Sequence, residues 1–203
     1  YDTNLRYVDS HLERLYESII RSSGETVVVV VGDHGQTMRE HTVEKQEWFE
    51  YPYEMSGYGH GSDLFQESIN VPLYISDIDD INTSQPIVST TDIVPTVLDI
   101  LDAQIDIPVD GESLSKTLQD DRKVISQEVS VGFEQIAVVT GDRKLYFSPE
   151  NNIMKMIRLG ENTEAVIQSP TVDDNELQQS LFEMIPDQKI SGERMNLDKK
   201  TQS

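Results

Sequence analysis

The sequence lacks cysteine altogether, and it has only one tryptophan and 16 basic residues among 203. Without cysteine the protein can form neither disulfides nor thiolate metal sites, and its redox compartment stays undetermined. The apolar runs are also short. None approaches the roughly 18–20 residues that a membrane-spanning helix requires, so no membrane segment is predicted in this part of the protein.

The charge is strongly one-sided, with 37 acidic residues and a net charge of −21. This balance argues against nucleic acid as a partner, because each phosphate contact requires a lysine or an arginine. An anionic substrate would need a local positive centre, such as a metal ion. A folded protein with so acidic a surface is typical of a high-salt environment, because salt screens the repulsion between its negative charges. We therefore predict a halophilic, haloarchaeal source.

The first half of the chain follows the pattern of an α/β protein. Apolar residues at three- and four-residue spacing predict an amphipathic helix over residues 4–22. Five consecutive valines at 27–31 predict a central strand covered on both faces, as in a parallel sheet between helices. Residues 71–75 predict a second strand, and residues 90–101 a capped helix. Since the helical pattern already runs at Leu5 and the first residue is Tyr1, we expect the chain to be cut from a longer protein.

The pattern changes after Asp120 to short strands separated by turns. Gly141-Asp142 lies between two such strands and is typical of a hairpin. An amphipathic helix is predicted over 175–185, and the tail 186–203 accumulates no apolar residues and is predicted to be disordered. A turn at 108–111 and a short helix to Leu118 connect the two halves. The predicted strands are 123–131, 135–140, 144–147, 154–159 and 165–168.

Gly32-Asp33-His34-Gly35 directly follows the five valines. Ligands of open α/β sheets gather beyond the carboxyl ends of the strands. An adjacent carboxylate and imidazole at that edge provide a hard oxygen and a borderline nitrogen, which suit a divalent cation. The alternative is that Asp33 caps the next segment and His34 is merely polar.

Residues 32–63 have no periodicity, and loops of this length inside a domain are often functional. The aromatic residues between Trp48 and Tyr58 either line a substrate pocket or pack the loop down, and packing is the more frequent role. Glu40-His41 is interpreted as a solvated loop pair rather than a pair of ligands.

Several motifs resemble the sulfatase family of the alkaline phosphatase superfamily, in the order in which that family has them. The valine strand ending in Gly-Asp-His-Gly resembles the family's metal-binding strand, and further blocks along residues 1–147 are similar to family blocks. These blocks are Gly59-His60-Gly61 with Leu64-Phe65, Glu67 and Val71-Pro72-Leu73; the run from Val88 to Leu98; Asp110-Gly111-Glu112-Ser113-Leu114; and the run from Val138 to Leu145.

The resemblance implies that Asp33 and His34 are metal ligands. The family habit is one divalent metal, Ca²⁺, while a histidine ligand leaves Mn²⁺ or Zn²⁺ open. It also implies a formylglycine nucleophile and a catalytic position for His60, which would contact the anion or protonate the leaving oxygen. In two-metal relatives a corresponding histidine binds the second metal, and a loop histidine without catalytic function is the further alternative.

The sequence departs from the family in three ways. The nucleophile motif, Cys or Ser followed by x-Pro-x-Arg, is absent, as are the paired aspartates that complete the metal shell. Both normally precede the region covered, so we expect them in a missing N-terminal half of the same chain. Gln36 stands where many relatives have glutamate.

We therefore predict an α/β fold, the C-terminal half of an alkaline-phosphatase-like three-layer α/β/α sandwich with a small antiparallel-sheet subdomain. The predicted domains are 1–118 for the catalytic part, 119–185 for the sheet and its helix, and 186–203 for the tail. The full-length protein would hydrolyse small-molecule or carbohydrate sulfate esters, and the fragment alone would be inactive. Alternatives are a phosphodiesterase, phosphonate hydrolase or phosphoglycerol transferase on the same scaffold, or a non-catalytic binding protein.

Overall fold

A computed structural model describes residues 2–22, 26–41, 47–49, 58–76, 78, 87–103, 106–129, 132–160 and 163–185. The predicted tail 186–203 lies outside these residues. The mixture of helices and strands confirms the α/β class. None of the described helices combines the length and the apolar character needed to cross a membrane. The helices are α1 (Asp2–Ser22), α2 (Gln66–Ile69), a 3₁₀ turn (Thr90–Asp92) that leads into α3 (Ile93–Ile100), and α4 (Val172–Glu183).

In the part of the chain that the structure describes, nine short strands form three antiparallel sheets, β1 with β4, β2 with β3, and β5 to β9 in sequence order. Their bounds are β1 (Val29–Val31), β2 (Thr37–Met38), β3 (Tyr58–Gly59), β4 (Leu73–Ile75), β5 (Val124–Glu128), β6 (Gln135–Thr140), β7 (Arg143–Ser148), β8 (Ile153–Leu159) and β9 (Glu164–Val166).

Helix α1 confirms the predicted amphipathic pattern, but its apolar side chains are exposed. Those of Leu5, Val8, Leu12 and Leu15 are between 41% and 56% exposed. A helix of this kind normally buries its apolar stripe against a core, whereas the described part of the chain leaves the stripe of α1 exposed.

Strand β1 corrects the prediction of a central strand in a parallel sheet. It pairs with β4 in antiparallel register, Val30 opposite Tyr74. Val30 and Val31 are also about two-fifths exposed, at 43% and 40%. A β-branched apolar run specifies an extended backbone, but the direction and number of its partners are set by other segments.

A buried ion pair fixes the start of α3. Asp92 is completely buried and accepts hydrogen bonds from both terminal nitrogens of Arg122, at 2.7 and 2.5 Å. It also accepts from the backbone N–H groups of Ser89 and Glu112, at 2.7 and 2.9 Å. The hydrogen bond to Arg122 raises the pKa of that guanidinium against the opposing effect of burial.

The prediction of a short helix that ends at Leu118 is wrong. Residues 110–118 instead form turns packed against α3.

The five-stranded sheet β5–β9 confirms the antiparallel sheet predicted for the second half. The β6–β7 turn is the predicted hairpin at Gly141-Asp142, and Gly141 has the left-handed φ of +53° that such turns need. One face of the sheet packs against α4 through Leu181, which is fully buried on Ile136, Val138, Leu145, Phe147 and Met156.

The opposite face of the sheet is covered by residues from the first half of the chain. Phe49, Leu64 and Phe65 form one buried cluster with Ala137, Tyr146, Ile153 and Ile157 of the sheet. Removing all three first-half side chains from water is worth about 5–9 kcal/mol at 1.5–3 kcal/mol each. The sheet therefore shares its core with the first half of the chain.

Buried polar side chains strengthen this contact at one backbone segment. Lys144 Nζ donates to the carbonyl oxygen of Leu64 at 2.7 Å, and the N–H of Leu64 donates to the Tyr146 hydroxyl at 3.1 Å. Gln135 Nε2 donates to the carbonyl oxygen of Ser62 at 3.0 Å. We call residues 62–66, which the sheet holds in this way, the anchored segment.

Asp174, at the start of α4, predicts a defined acid sensitivity. Backbone and hydroxyl hydrogen bonds from Thr171, and then Arg143, lower the pKa of Asp174 from 3.8 to about 2. A depressed folded-state pKa stabilises the protein above the unfolded value and ceases to do so as pH falls through the folded value. We expect Asp174→Asn to flatten the fall in stability between about pH 4 and pH 2.

Urea unfolding followed by circular dichroism across pH 2–7 measures this effect. Asp173→Asn is the matched control, because Asp173 is exposed in the same first turn. If the free energy of unfolding of Asp174→Asn fell with decreasing pH as steeply as that of the wild type, the stabilising role assigned to the contacts of Asp174 would be wrong.

Candidate functional site

The Gly-Asp-His-Gly turn after β1 is held in place by its two glycines. The N–H of Gly32 donates to the carbonyl oxygen of Pro72 at 3.0 Å, and that of Gly35 donates to Ser68 at 2.8 Å. A Cβ at Gly35 would collide with the carbonyl oxygen of Glu67, so only glycine permits this close approach to α2. Asp33 and His34 therefore have a fixed position at the end of the strand.

The ring of His34 is oriented by its own turn. Nδ1 lies 2.7 Å from the carbonyl oxygen of Gly35, which can only accept, so Nδ1 carries the proton. In that tautomer Nε2 has the lone pair, and it lies 3.7 Å from Asp33 Oδ1. A histidine whose second nitrogen donates to a backbone carbonyl is the usual arrangement of a metal ligand.

His60 follows β3 and lies directly against His34. The two imidazole rings are stacked, with centroids 3.7 Å apart and planes inclined by 14°. Gly59 and Gly61 on either side of His60 have φ values of +145° and +71°, so the loop turns sharply around it. The structure thus brings all three predicted site residues, Asp33, His34 and His60, together on an exposed surface.

Gln36 connects the two loops of this site. Its Nε2 donates to the carbonyl oxygen of Gly59 at 2.9 Å, next to His60. A glutamate at this position could not donate that hydrogen bond when ionised. The hydrogen bond to Gly59 therefore explains why a glutamine side chain suits position 36 in this chain.

The aromatic residues of the loop divide between packing and exposure. Trp48 lies 5.5 Å from the Phe65 ring and 5.6 Å from Tyr146, and Phe49 is buried. Tyr58 is exposed, with the Arg39 guanidinium 4.8 Å from its ring centroid. Packing is therefore the observed role of Trp48 and Phe49, whereas Tyr51 and Tyr53 lie outside the described residues.

His41 corrects the interpretation of Glu40-His41 as a solvated pair. Its side chain is 17% exposed, Nδ1 lies 3.1 Å from both carboxylate oxygens of Glu67, and the ring stacks on Phe65 at 4.4 Å. Glu164, on β9, completes a group whose ligand atoms lie within 4.8 Å of one another. Sequence reasoning missed this group because Glu164 is 97 residues beyond Glu67 and no local motif marks it.

Lys144 lies next to this group. Its ammonium is fully buried and forms an ion pair with Glu164, whose side chain is 3% exposed. Burial lowers the pKa of Lys144, and the carboxylates of Glu164, Glu67 and Asp63 oppose that shift. Lys144 is thus an ammonium buried among carboxylates, two of which belong to the His41 group.

The architecture is that of an α/β protein with a polar Asp-His site at the end of an apolar strand. A family model described as Sulfatase matches residues 1–103, just over half of the chain. The chain therefore belongs to the sulfatase family, whose activity is the hydrolysis of sulfuric esters. Searches of curated proteins and of solved structures gave no significant match.

Proposed function

We propose that this chain supplies the metal- and substrate-binding part of a sulfatase that hydrolyses small-molecule or carbohydrate sulfate esters. Asp33 and His34 are the proposed metal ligands, and His60 is the proposed catalytic residue that faces the substrate. The nucleophile, a formylglycine in the family, would come from a part of the protein outside this sequence, which lacks the Cys/Ser-x-Pro-x-Arg motif. The single observation that carries the proposal is that Asp33 and His34, after β1, lie beside His60, after β3.

The donor set fits a divalent cation. Asp33 offers a carboxylate that is 90% exposed, and His34 offers the Nε2 lone pair toward the same side, 3.7 Å away. These ligands suit Ca²⁺ or Mn²⁺, and the imidazole also suits Zn²⁺. When bound, the metal would polarise the oxygens of the sulfate group. It would also provide the positive centre that a chain of net charge −21 needs to hold an anion.

The role of His60 follows from its position beside the ligand His34. An imidazole at this place can donate a hydrogen bond to the anionic group, or give a proton to the oxygen that leaves with the alcohol. The backbone turns at Gly59 and Gly61 and the bond from Gln36 fix the loop, so the ring is positioned before substrate binds.

Turnover by the full-length protein in molar salt tests the proposed function. An aryl sulfate and a matched aryl phosphodiester are compared, with and without a chelator. We expect metal-dependent hydrolysis of the sulfate ester. A preference for the phosphodiester would replace the proposal by phosphoryl transfer on the same scaffold, and a full-length protein inert on both would favour the binding-protein alternative.

His60→Ala should lower kcat for sulfate esters by roughly 10²–10⁴-fold, which is the usual contribution of a positioned acid or base. The assay uses an activated aryl sulfate and an unactivated alkyl sulfate. If His60 protonates the leaving oxygen, the loss is larger with the alkyl ester, and if it only contacts the anion, the two losses are equal. His11→Ala, an exposed histidine on α1, is the control. Wild-type kcat in His60→Ala would refute the catalytic role.

A further inference from the structure

A second group of potential metal ligands shares no residue with the Asp33–His34 site. His41 and the carboxylates of Glu67 and Glu164 open into a pocket of about 370 Å³, which we call the His41 pocket. Its lining contains no lysine or arginine in the described part of the chain. The lining residues are Glu40, His41, Gln66, Glu67, Asn70, Gly160, Thr163 and Glu164.

The spacing of His41 and Glu67 is compatible with a small divalent cation. His41 Nδ1 lies 3.1 Å from each oxygen of Glu67, and one ligand atom from each of the three residues lies within 4.8 Å of the others. A metal with bonds of about 2.1 Å separates neighbouring ligands by about 3.0 Å in an octahedron and about 3.4 Å in a tetrahedron. The observed His41–Glu67 separation falls between these two values.

The electrostatic state of the group also favours a cation. The side chains of His41, Glu67 and Glu164 are only 17%, 11% and 3% exposed, and Lys144 is the ammonium that contacts Glu164. Glu164 Oε2 accepts from the N–H of Gln66 at 2.7 Å, while buried Oε1 contacts that ammonium without a hydrogen bond of regular geometry. The two carboxylates of Glu67 and Glu164 attract a cation at this position.

We propose that His41, Glu67 and Glu164 bind one divalent transition metal, Zn²⁺ or Mn²⁺. One imidazole with two carboxylates is a ligand set for these ions rather than for a thiolate-preferring metal. The ligands come from three separate parts of the chain, the turn after β2, helix α2 and strand β9. The metal would therefore tie the sheet to the first half of the chain, and its role is structural.

Metal binding by this chain, stripped with a chelator, tests the proposal in an Asp33→Ala/His34→Ala background that removes the other candidate ligands. We expect one equivalent of Zn²⁺ in isothermal titration calorimetry and a rise in Tm with metal. Adding His41→Gln should weaken binding at least tenfold, since loss of even an outer-shell partner of a metal costs about 10–100-fold. Glu176→Gln, at an exposed position on α4, should leave binding unchanged.

A second measurement needs no change in the pocket. Trp48, the one tryptophan of the sequence, lies with His41 in the lining of an adjacent pocket and contacts Phe65, on which His41 stacks. Co²⁺ in the same background should quench Trp48 fluorescence and saturate at one equivalent. Absence of both calorimetric binding and quenching would overturn the proposal, as would unaltered binding in a correctly folded His41→Gln variant. In either case the group is a metal-free hydrogen-bond and ion-pair network.

Discussion

Asp33→Ala is expected to abolish measurable sulfate-ester turnover by the full-length protein and to remove its active-site metal. Charge stabilisation by a bound metal supplies several kcal/mol in the transition state. A loss of about 4 kcal/mol corresponds to about 10³-fold in rate. Asp33 is 90% exposed, and its carboxylate contacts the neighbouring His34 within the same turn, so the fold should survive the change. Activity and metal content, by elemental analysis after gel filtration, are measured on the same sample.

His34→Ala should reproduce the Asp33→Ala result, because the two side chains are proposed to share one ion. Asp106→Ala, at another exposed acidic position, should keep wild-type activity and metal. Bound metal in the His41 pocket would remain in both site variants, so the expected result is loss of one equivalent rather than of all metal. An active Asp33→Ala protein with wild-type metal content would refute the site assignment.

Asp92→Ala is expected to reduce the free energy of unfolding by about 3–5 kcal/mol, the usual cost of removing one partner of a buried pair. The variant leaves the Arg122 guanidinium, 7% exposed, without its bidentate partner. It also leaves the N–H groups of Ser89 and Glu112 without their acceptor. Against a typical total stability of about 5–15 kcal/mol, this loss is large enough to unfold part of the population.

Urea unfolding at fixed salt measures the effect of Asp92→Ala. The matched control is Asp99→Ala at the other end of α3, where the carboxylate pairs with Lys116 at 2.8 Å but on the surface. Exposed ion pairs contribute little, so Asp99→Ala should unfold nearly as wild type does. Equal effects of the two variants would show that the burial of the Asp92–Arg122 pair is not what stabilises this region.

Local patterns in the sequence predicted the individual elements well. The 3.6-residue periodicity predicted α1, and the turn residues Gly141-Asp142 predicted the β6–β7 hairpin. Such signals act over a few residues and can be recognised without knowledge of distant contacts. The candidate site was predictable for the same reason, since Asp33 and His34 are adjacent in sequence and follow a recognisable strand.

The remaining features depend on long-range packing. The partner of β1 comes from residues 73–75, and no property of five valines specifies an antiparallel neighbour or an exposed face. The turns over 110–118 exist because Gly111 packs closely on the backbone of Thr91 and Leu114 bonds to Thr96. His41, Glu67 and Glu164 are separated by 26 and 97 residues, so only the folded chain brings them together.

The anchored segment also sets the order in which the protein can fold. Leu64 is fixed by side chains that are 80 and 82 residues further along the chain. Contacts across such separations form slowly, because the loop between them must first be closed. We therefore expect the anchored segment to be secured only after the β6–β7 hairpin has formed. During synthesis, residues up to 146 must have left the ribosome before the anchored segment can make these contacts.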